Sequence, residues 1–332
     1  MATLAGIPIT GNGLGLMRLT LPNSNVSDEQ AFKVLKAALA AGANVWNGAD
    51  FYGLPTNNSL HLMNRYFTKY PEDASKVVFC LKTGVVDMRT FKIDASPAWL
   101  RSALDSALKI LDGKKKIDIY GPCRVHPTPD ITIEDTVAAC LELQKEGKIG
   151  GIQLSEVKAE TIRRTAKVAK IDMVEAEVSL WSTDIFTNGV AETCAELGIV
   201  ISAHTPLGAG MLSGKFKTVE DMGDDHHKHF PRFQGENFKK NLELVEGLKK
   251  LATKKGVTTA QLALAWLKRD NGKEGRPWIV PIAGSSQEQR TKENYVEVEL
   301  TDEELKEISM ILGSFPVAGG RYPEAAAKYA EY

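Results

Sequence analysis

The strongest constraint on the fold is a regular alternation along the whole 332-residue chain. Short apolar, β-branched segments alternate with longer segments of helical periodicity, which is typical of a parallel sheet connected by helices. Eight strands are predicted, near residues 13–17, 43–49, 77–82, 117–120, 151–155, 173–177, 199–203 and 278–282. Eight strands predict an α/β fold of the (β/α)8 TIM barrel type, with residues 1–332 forming a single domain.

Helix boundary signals lie between the predicted strands. Ser27 and Gln30 have capping-box spacing, and Gly42 can end the same helix in a left-handed conformation. Ser96 precedes Pro97, the pair expected at a helix start. Further helices are predicted at 132–146, 158–169, 187–197, 241–254, 259–269 and 302–312.

Two segments interrupt the alternation. Residues 215–239 are too long for an ordinary connection and are predicted to be a functional or mobile insertion. The insertion contains His226, His227 and His229, but adjacent loop side chains are expected to point apart, so no metal site is predicted. The tail after Leu312 is predicted to be a loop that covers the barrel mouth.

Composition and charge exclude several classes of partner. Apolar residues make up 43% and charged residues 25% of the chain, and the formal net charge is −1. Such a balance gives no overall field for nucleic acid or an anionic membrane, so a small-molecule partner is expected. The four cysteines form no CxxC pair, and no segment has ~18 consecutive apolar residues. We therefore expect a cytoplasmic enzyme, monomeric or a weak homo-oligomer.

Candidate catalytic side chains follow three consecutive strands. Tyr52, Lys82 and His126 lie at the ends of predicted strands two, three and four, and Ser155 ends strand five. In such barrels the active site lies at the C-terminal ends of the strands. An ammonium near a phenol favours the phenolate, so Lys82 is expected to lower the pKa of Tyr52. Tyr52 could then act as a general acid, with His126 donating or orienting a second hydrogen bond, as carbonyl reduction requires.

A nucleotide site is predicted after the last strand. The chain has no GxGxxG followed by an acidic residue about 20 positions later, which argues against a Rossmann site. Instead, Gly284, Ser285 and Ser286 precede a helix, where backbone N–H groups can bind an anion. Arg290, one turn into that helix, could pair with a phosphate.

In order, the motifs WNGADFYG, LKTG, RVHP, KEGKIGGIQLSE, AHTPLGAGMLSGKF, TTAQLALAWL and PIAGSSQEQRTKEN resemble those of the aldo-keto reductase family. The resemblance implies an NADP-binding (β/α)8 barrel with Tyr52 as the acid, Lys82 as its activator and His126 as the residue that orients the carbonyl. The aspartate of the family falls at Asn47, which can hydrogen-bond Lys82 but cannot neutralise it. Asp50 is a candidate for the missing charge.

The same resemblance implies the cofactor contacts. The Ser–Asn pair after strand five, the glutamine of strand six and the aromatic residue after strand seven correspond to Ser155–Glu156, Glu175 and His204. Arg290 matches the arginine that selects the 2′-phosphate, which implies NADPH. The implied cofactor residues are Gly15, Leu16, Ser155, Glu156, Glu175, His204, Pro206, Leu207, Gly208, Leu212, Gly284, Ser285, Arg290, Glu293 and Asn294.

Within the family, Asn47 and the motifs QLSE, PRFQGENF and GGRYPE resemble fungal pyridoxal reductases. That resemblance implies reduction of pyridoxal to pyridoxine. The expected substrate-contacting residues are Trp46, Phe51, Arg124, Arg232 and Tyr322. Two alternatives stay open: a reductase of broad specificity for xenobiotic or secondary-metabolite carbonyls, and a non-catalytic NADP-sensing subunit. Retention of Tyr52, Lys82 and His126 argues against the second alternative.

Overall fold

Eight parallel strands form the central sheet of the computed structural model, which describes residues 2–223 and 225–331. The strands are β1 Gly13–Gly15, β2 Val45–Ala49, β3 Val78–Thr83, β4 Ile117–Pro122, β5 Ile149–Ser155, β6 Met173–Glu177, β7 Val200–His204 and β8 Ile279–Pro281. Each strand pairs with its neighbour in chain order. A parallel bridge between Gly13 and Ile282 joins the last strand to the first, so the predicted barrel is confirmed.

Helices follow the strands and cover the outside of the barrel. The helices longer than one turn are α1 Asp28–Ala40, α2 Ser59–Lys69, α3 Pro97–Leu111, α4 Ile133–Lys145, α5 Ala159–Thr165, α6 Val190–Glu196, α7 Gly235–Lys255, α8 Thr259–Lys268, α9 Glu288–Asn294 and α10 Asp302–Ser314. Two one-turn helices lie at Met17–Thr20 and Glu324–Ala327. Three two-stranded hairpins are formed by Thr3–Leu4 with Ile7–Pro8, Gly53–Leu54 with Asn57–Asn58, and Val85–Asp87 with Lys92–Ile93. In the described residues no helix is long and apolar enough to span a membrane.

The predicted caps begin their helices. The Ser27 side chain accepts a hydrogen bond from the Gln30 backbone N–H, and the Ser96 side chain accepts one from the Trp99 N–H. These bonds satisfy backbone donors that have no partner within the helix. The insertion ends earlier than predicted, because α7 begins at Gly235 and not at 241. Before α7 the insertion forms short 3-10 turns, namely Glu220–Met222, His226–His229 and Pro231–Phe233.

The barrel interior is apolar at one end and polar at the other. Val45, Val78, Ile119, Met173 and Val200 form a buried cluster at the N-terminal ends of the strands. The N-terminal hairpin adds Leu4 and Ile9 to this cluster and closes that end. The open end at the strand C-termini is therefore the place where polar side chains can meet a ligand.

The C-terminal tail crosses the open end, as predicted. The backbone N–H of Glu331 donates to the carbonyl oxygen of Glu156 at 3.0 Å, just after β5. Farther back, the Ala318 N–H donates to Asn241 Oδ1 on α7 at 2.8 Å. Backbone bonds at both ends of the tail fix it across the mouth of the barrel.

Candidate active site

Strands β2, β3 and β6 direct three polar side chains into the barrel. Asn47, Lys82 and Glu175 are all buried, with exposed fractions of 2%, 1% and 4%. Side chains alternate between the two faces of a strand, so these positions share the interior face with Val45, Cys80 and Met173. The three side chains form a polar layer next to the buried apolar cluster at the N-terminal ends of the strands.

Lys82 and Glu175 form a buried ion pair. Lys82 Nζ lies 2.6 Å from Glu175 Oε2 and donates to Asn47 Oδ1, also at 2.6 Å. Asn47 Nδ2 donates to the same Glu175 oxygen at 2.6 Å, which closes a triangle of hydrogen bonds. Burial alone would lower the pKa of Lys82, but the Glu175 carboxylate, together with Tyr52 and Cys123, raises that pKa above its ordinary value. Lys82 is therefore a permanent ammonium.

Glu175 supplies the negative charge that the residue at position 47 lacks, so the expectation of a less compensated Lys82 is wrong. Asp50 does not take that role. Its Oδ2 accepts a hydrogen bond from Thr83 Oγ1 at 2.5 Å, away from the ammonium. Burial raises the pKa of Asp50 to about 6, the opposite of what a nearby ammonium would cause.

Tyr52 lies next to the ion pair, at the turn after β2. Lys82 Nζ is 5.2 Å from the centre of the Tyr52 ring, and the Phe51 ring packs edge-on against it at 5.0 Å. Burial raises the pKa of Tyr52, Lys82 lowers it and Glu175 raises it, with a net increase above its ordinary value. The expected decrease is therefore wrong, because the neutralised ammonium does not overcome burial. Tyr52 is held as a protonated phenol.

His126 lies in the loop after β4, with its side chain 12% exposed. Its Nδ1 is 3.0 Å from Thr128 Oγ1, and its Nε2 is 3.7 Å from Asp94 Oδ1. Within residues 2–223 and 225–331, no hydrogen bond joins His126 to Tyr52 or Lys82. Its role toward a carbonyl stays a prediction.

A second charged cluster lies at the ends of β5, β6 and β7. Glu156 Oε1 is 2.8 Å from His204 Nε2 and accepts the Glu177 N–H at 2.8 Å. Arg321 of the tail bonds Glu156 Oε2 at 2.5 Å and Glu177 Oε2 at 2.9 Å. Burial alone would raise the pKa of Glu156, but the hydrogen bond and charge of His204, followed by the charges of Arg321 and Arg124, lower it below its ordinary range. Glu156 is thus an ionised anchor for the tail.

The backbones of β1 and of the segment after β8 pack closely at the mouth of the barrel. A Cβ at Gly15 would lie 2.9 Å from the Ile282 carbonyl oxygen, and one at Gly284 3.3 Å from the Gly15 oxygen. Ser285 is buried and its Oγ accepts the Gln287 N–H at 3.1 Å, which orders the turn before α9. Arg290 is exposed, and no hydrogen bond or ion pair of its side chain occurs among the described residues. An exposed guanidinium one turn into a helix that follows this turn could bind a phosphate group.

The other predicted cofactor positions fall into two groups. Leu16 and Leu212 are fully buried. The Leu16 backbone N–H donates to the backbone carbonyl oxygen of Asn47 at 2.9 Å. Gly208 packs against Trp181, whose ring atom would lie 2.5 Å from an added Cβ. Pro206 and Asn294 are also buried, whereas Leu207 and Glu293 are half-buried.

Two of the five predicted substrate residues, Arg124 and Tyr322, are in contact. Arg124 Nη2 lies 3.5 Å from Tyr322 Oη, and Phe51 packs near Cys123, the residue before Arg124. Trp46 is wrong as a substrate residue. It is fully buried on the outer face of β2, where its ring stacks on Phe67. Because Asn47 points inward, its neighbour in the strand must point outward.

Arg232 lies at the base of the tail and not in the open mouth. Its Nη1 donates to the Trp181 carbonyl oxygen at 2.8 Å, and its Nε donates to the Gly319 oxygen at 3.2 Å. Nη1 also lies 3.8 Å from Glu177 Oε1. These contacts join the insertion to the tail, which is a structural role.

The sequence interpretation missed Glu177 and Arg321 as members of this site. A signal was available in β6, where Glu175 and Glu177 are two residues apart. That spacing places both carboxylates on one face of a strand, and inside a barrel each of them requires a cationic partner. Arg321 gave no such signal, since it lies in a tail without periodicity.

The insertion brings Asp225, His226 and His227 together, with potential ligand atoms within 4.8 Å of one another. The expectation that the adjacent histidines point apart is wrong, because their ring centres are 4.0 Å apart. Both carboxylate oxygens of Asp225 have partners within the chain. His227 Nδ1 lies 2.6 Å from Oδ1, and Arg18 pairs with Oδ2. The cluster therefore serves to tie the insertion to Arg18, which follows β1.

Comparison with known proteins gives consistent matches. The profile of the Aldo/keto reductase family matches residues 13–312. "Probable pyridoxal reductase 2" of Schizosaccharomyces pombe is 36% identical over 332 residues, covering 97% of each chain. An aldo-keto reductase of the same yeast, whose name specifies NADP(+), is 34% identical and covers 95% of this chain and 92% of its own. The structure of a glycerol dehydrogenase from Gluconobacter oxydans superimposes with a TM-score of 0.79 at 22% identity, covering 96% of this chain and 97% of its own.

Proposed function

Because the chain belongs to the aldo/keto reductase family, we propose that it reduces an aldehyde to an alcohol with NADPH, and that its substrate is pyridoxal. One observation carries the proposal: a buried ammonium, Lys82, lies against the ring of a protonated phenol, Tyr52, at the open end of the barrel. This pair is the acid that carbonyl reduction needs.

Bound NADPH would supply the hydride to the carbonyl carbon, and the chain supplies the proton. Tyr52 donates its phenol proton to the carbonyl oxygen as negative charge grows there. The resulting phenolate is stabilised by Lys82, which lies close to its ring and carries a permanent charge. The Glu175 carboxylate fixes the ammonium at 2.6 Å and makes its burial possible.

Several residues support NADPH as the cofactor. The exposed guanidinium of Arg290, on the helix that follows the turn ordered by Ser285, can pair with a phosphate. His204, 19% exposed at the end of β7, holds both ring nitrogens in contacts with Thr205 and Glu156, which fixes the plane of the ring for stacking. The name of the NADP(+) relative points the same way.

The choice of pyridoxal rests on the relative named a pyridoxal reductase and on the mouth residues. Phe51 and Tyr322 offer aromatic surface, and Arg124 offers hydrogen-bond donors, which suits a small polar aromatic aldehyde.

The proposal is tested by steady-state oxidation of NADPH with pyridoxal, compared with a panel of aromatic and aliphatic aldehydes. Pyridoxal should give the highest kcat/KM. Equal rates across the panel would favour the reductase of broad specificity. No turnover with any aldehyde, despite NADPH binding, would favour a cofactor-sensing module.

Tyr52→Phe should retain NADPH binding and lose about 10²- to 10⁴-fold in kcat. Since the raised pKa of Tyr52 lies above about 10, the wild-type reduction rate should stay level through neutral pH and fall only as pH rises through that pKa. Stopped-flow reduction across pH checks both statements. A Tyr52→Phe variant with unchanged turnover would refute the assignment of the acid.

Arg290→Ala should raise the Kd of NADPH roughly 10- to 100-fold, because a charge-assisted hydrogen bond to the 2′-phosphate contributes about 1.5–3 kcal/mol. The Kd of NADH, which lacks that phosphate, should change little. Titration of intrinsic fluorescence with both nucleotides measures the difference. Equal losses for the two nucleotides would deny Arg290 this role.

A further inference from the structure

Arg124 makes its close contacts with neutral groups, while the Glu156 and Glu175 carboxylates act on it from more than 4.0 Å away. Its Nη1 donates to the Cys123 carbonyl oxygen at 2.6 Å and to Ser155 Oγ at 3.2 Å, and its Nη2 lies 3.5 Å from Tyr322 Oη. All of these partners are neutral. In the two described ranges of the chain, no carboxylate oxygen lies within 4.0 Å of this guanidinium.

The other cations at the mouth have direct carboxylate partners. Lys82 pairs with Glu175, and Arg321 bridges Glu156 and Glu177. Among these three cations, Arg124 is the one without a directly bonded carboxylate in the described residues. Its guanidinium is therefore able to form a charge-assisted hydrogen bond with an anionic group of a ligand.

Arg124 also lies close to the proton donor. The thiol of Cys123, the preceding residue, is buried 3.4 Å from Arg124 Nη1, and it also acts on the pKa of Tyr52. Phe51 and Phe91 pack against the buried cluster of Val85, Ile93 and Cys123, and the Arg124 guanidinium is 5.9 Å from the centre of the Phe91 ring. An aromatic substrate seated beside Tyr52 would thus lie between this apolar wall and the guanidinium.

We propose that Arg124 binds an ionised oxygen on the ring of the substrate, so that the site selects aromatic aldehydes with a deprotonated hydroxyl near the formyl group. A guanidinium presents donors in a fixed planar fork, which matches such an oxygen. The inference rests on the proposed function and narrows its substrate class. Pyridoxal belongs to this class, because its ring hydroxyl is adjacent to its formyl group.

The test compares two aldehydes that differ only in that oxygen: 3-hydroxypyridine-4-carboxaldehyde and pyridine-4-carboxaldehyde. The ratio of their kcat/KM values, measured with NADPH where the ring hydroxyl is ionised, should favour the hydroxylated aldehyde in the wild type. In Arg124→Gln this ratio should fall about 10- to 100-fold, as expected for one lost charge-assisted contact. Arg124→Lys, which keeps the charge without the fork, should give an intermediate ratio.

Arg89→Gln is the matched control, since Arg89 is an arginine of the neighbouring Val85–Ile93 hairpin with a 94% exposed side chain. It should leave the ratio unaltered. A wild-type ratio near one, or a ratio that Arg124→Gln does not change, would overturn the inference. Selectivity for the hydroxylated aldehyde without turnover of pyridoxal would overturn only the choice of pyridoxal.

Binding gives a reading that does not depend on catalysis. The wild type and both Arg124 variants are titrated calorimetrically, with NADP(+) present, against 3-hydroxypyridine and pyridine, which have no carbonyl group. Tighter binding of ionised 3-hydroxypyridine by the wild type, lost in Arg124→Gln and partly kept in Arg124→Lys, supports the inference even if no aldehyde is reduced. Equal binding of both compounds by the wild type contradicts it.

Discussion

At the scale of single residues, the carboxylate that balances Lys82 has an unusual origin. The family pattern places an aspartate at position 47, and this chain has an asparagine there. Glu175, 93 residues after Lys82, reaches the same ammonium from β6 at 2.6 Å. Both arrangements leave one buried cation beside one buried carboxylate, so the electrostatic requirement is the same. The difference is the strand that provides the carboxylate, which is β6 here and β2 in the family pattern.

This arrangement predicts the behaviour of a charge swap. Glu175→Gln should destabilise the fold by about 3–5 kcal/mol, because it leaves the buried Lys82 ammonium unpaired. Asn47→Asp should also be unfavourable, since its carboxylate would lie against Glu175 and one of the two would have to bind a proton. The double variant restores one carboxylate beside one ammonium and should recover most of the lost stability.

Urea unfolding of the three variants measures these differences, with kcat on the preferred aldehyde as a second reading. If Glu175→Gln is as stable as the wild type, Glu175 is not the counter-ion. If the double variant is no better than Glu175→Gln, the two positions are not interchangeable.

At the scale of elements, the tail is a separate piece fastened to strand ends. Arg321 joins it to the ends of β5 and β6 through Glu156 and Glu177, and Asn241 of α7 holds its start. The Arg321 side chain is only 8% exposed and Glu156 is not exposed at all. The same two strands carry Ser155 and Glu175, so the tail is anchored to the elements that build the site.

Arg321→Ala should therefore release the tail without unfolding the barrel. The tail can open locally while the barrel stays folded, so the loss of its contacts need not lower the free energy of global unfolding by the same amount. Hydrogen exchange of residues 316–331 should become roughly 10- to 100-fold faster, while exchange in β2 to β7 stays unchanged. Glu324→Gln, an exposed change on the same tail, is the control. Uniformly faster exchange throughout the barrel would show that the tail is part of the core.

At the scale of the whole molecule, closure of the barrel requires close approach of neighbouring strands. Gly121 in β4 is the tightest point: a Cβ there would lie 2.0 Å from the backbone oxygen of Gln153 in β5. Gly121 is also the register partner of Lys82 in β3. The missing side chain thus permits the close spacing of β4 and β5.

Gly121→Ala should lower the free energy of unfolding by about 3 kcal/mol or more, because two backbones of a closed sheet must separate. Gly313→Ala is the matched control. It lies in α10 with nothing within 4 Å of an added Cβ, and it should stabilise the protein by about 0.5–1 kcal/mol. Thermal and urea unfolding of both variants checks the contrast. Equal stability of Gly121→Ala and the wild type would mean that the strands can adjust freely.

The sequence by itself determined the strands, most helices and the positions of Tyr52 and Lys82. Those features depend on alternation, caps and strand ends, which are local. Helix α2 and the start of α7 at Gly235 escaped prediction, because the Asn58 cap of α2 and the uncapped start of α7 gave weaker signals.

Only the tertiary structure decided the electrostatics of the site. It directed Asp50 toward Thr83, turned Trp46 into the outer core, brought Glu175 to Lys82 and raised the pKa of Tyr52 where a decrease was expected. The reason is physical: which charges meet, and how much water surrounds them, depends on strand order and barrel closure. Residues 93 positions apart in the chain become direct neighbours only when the barrel closes.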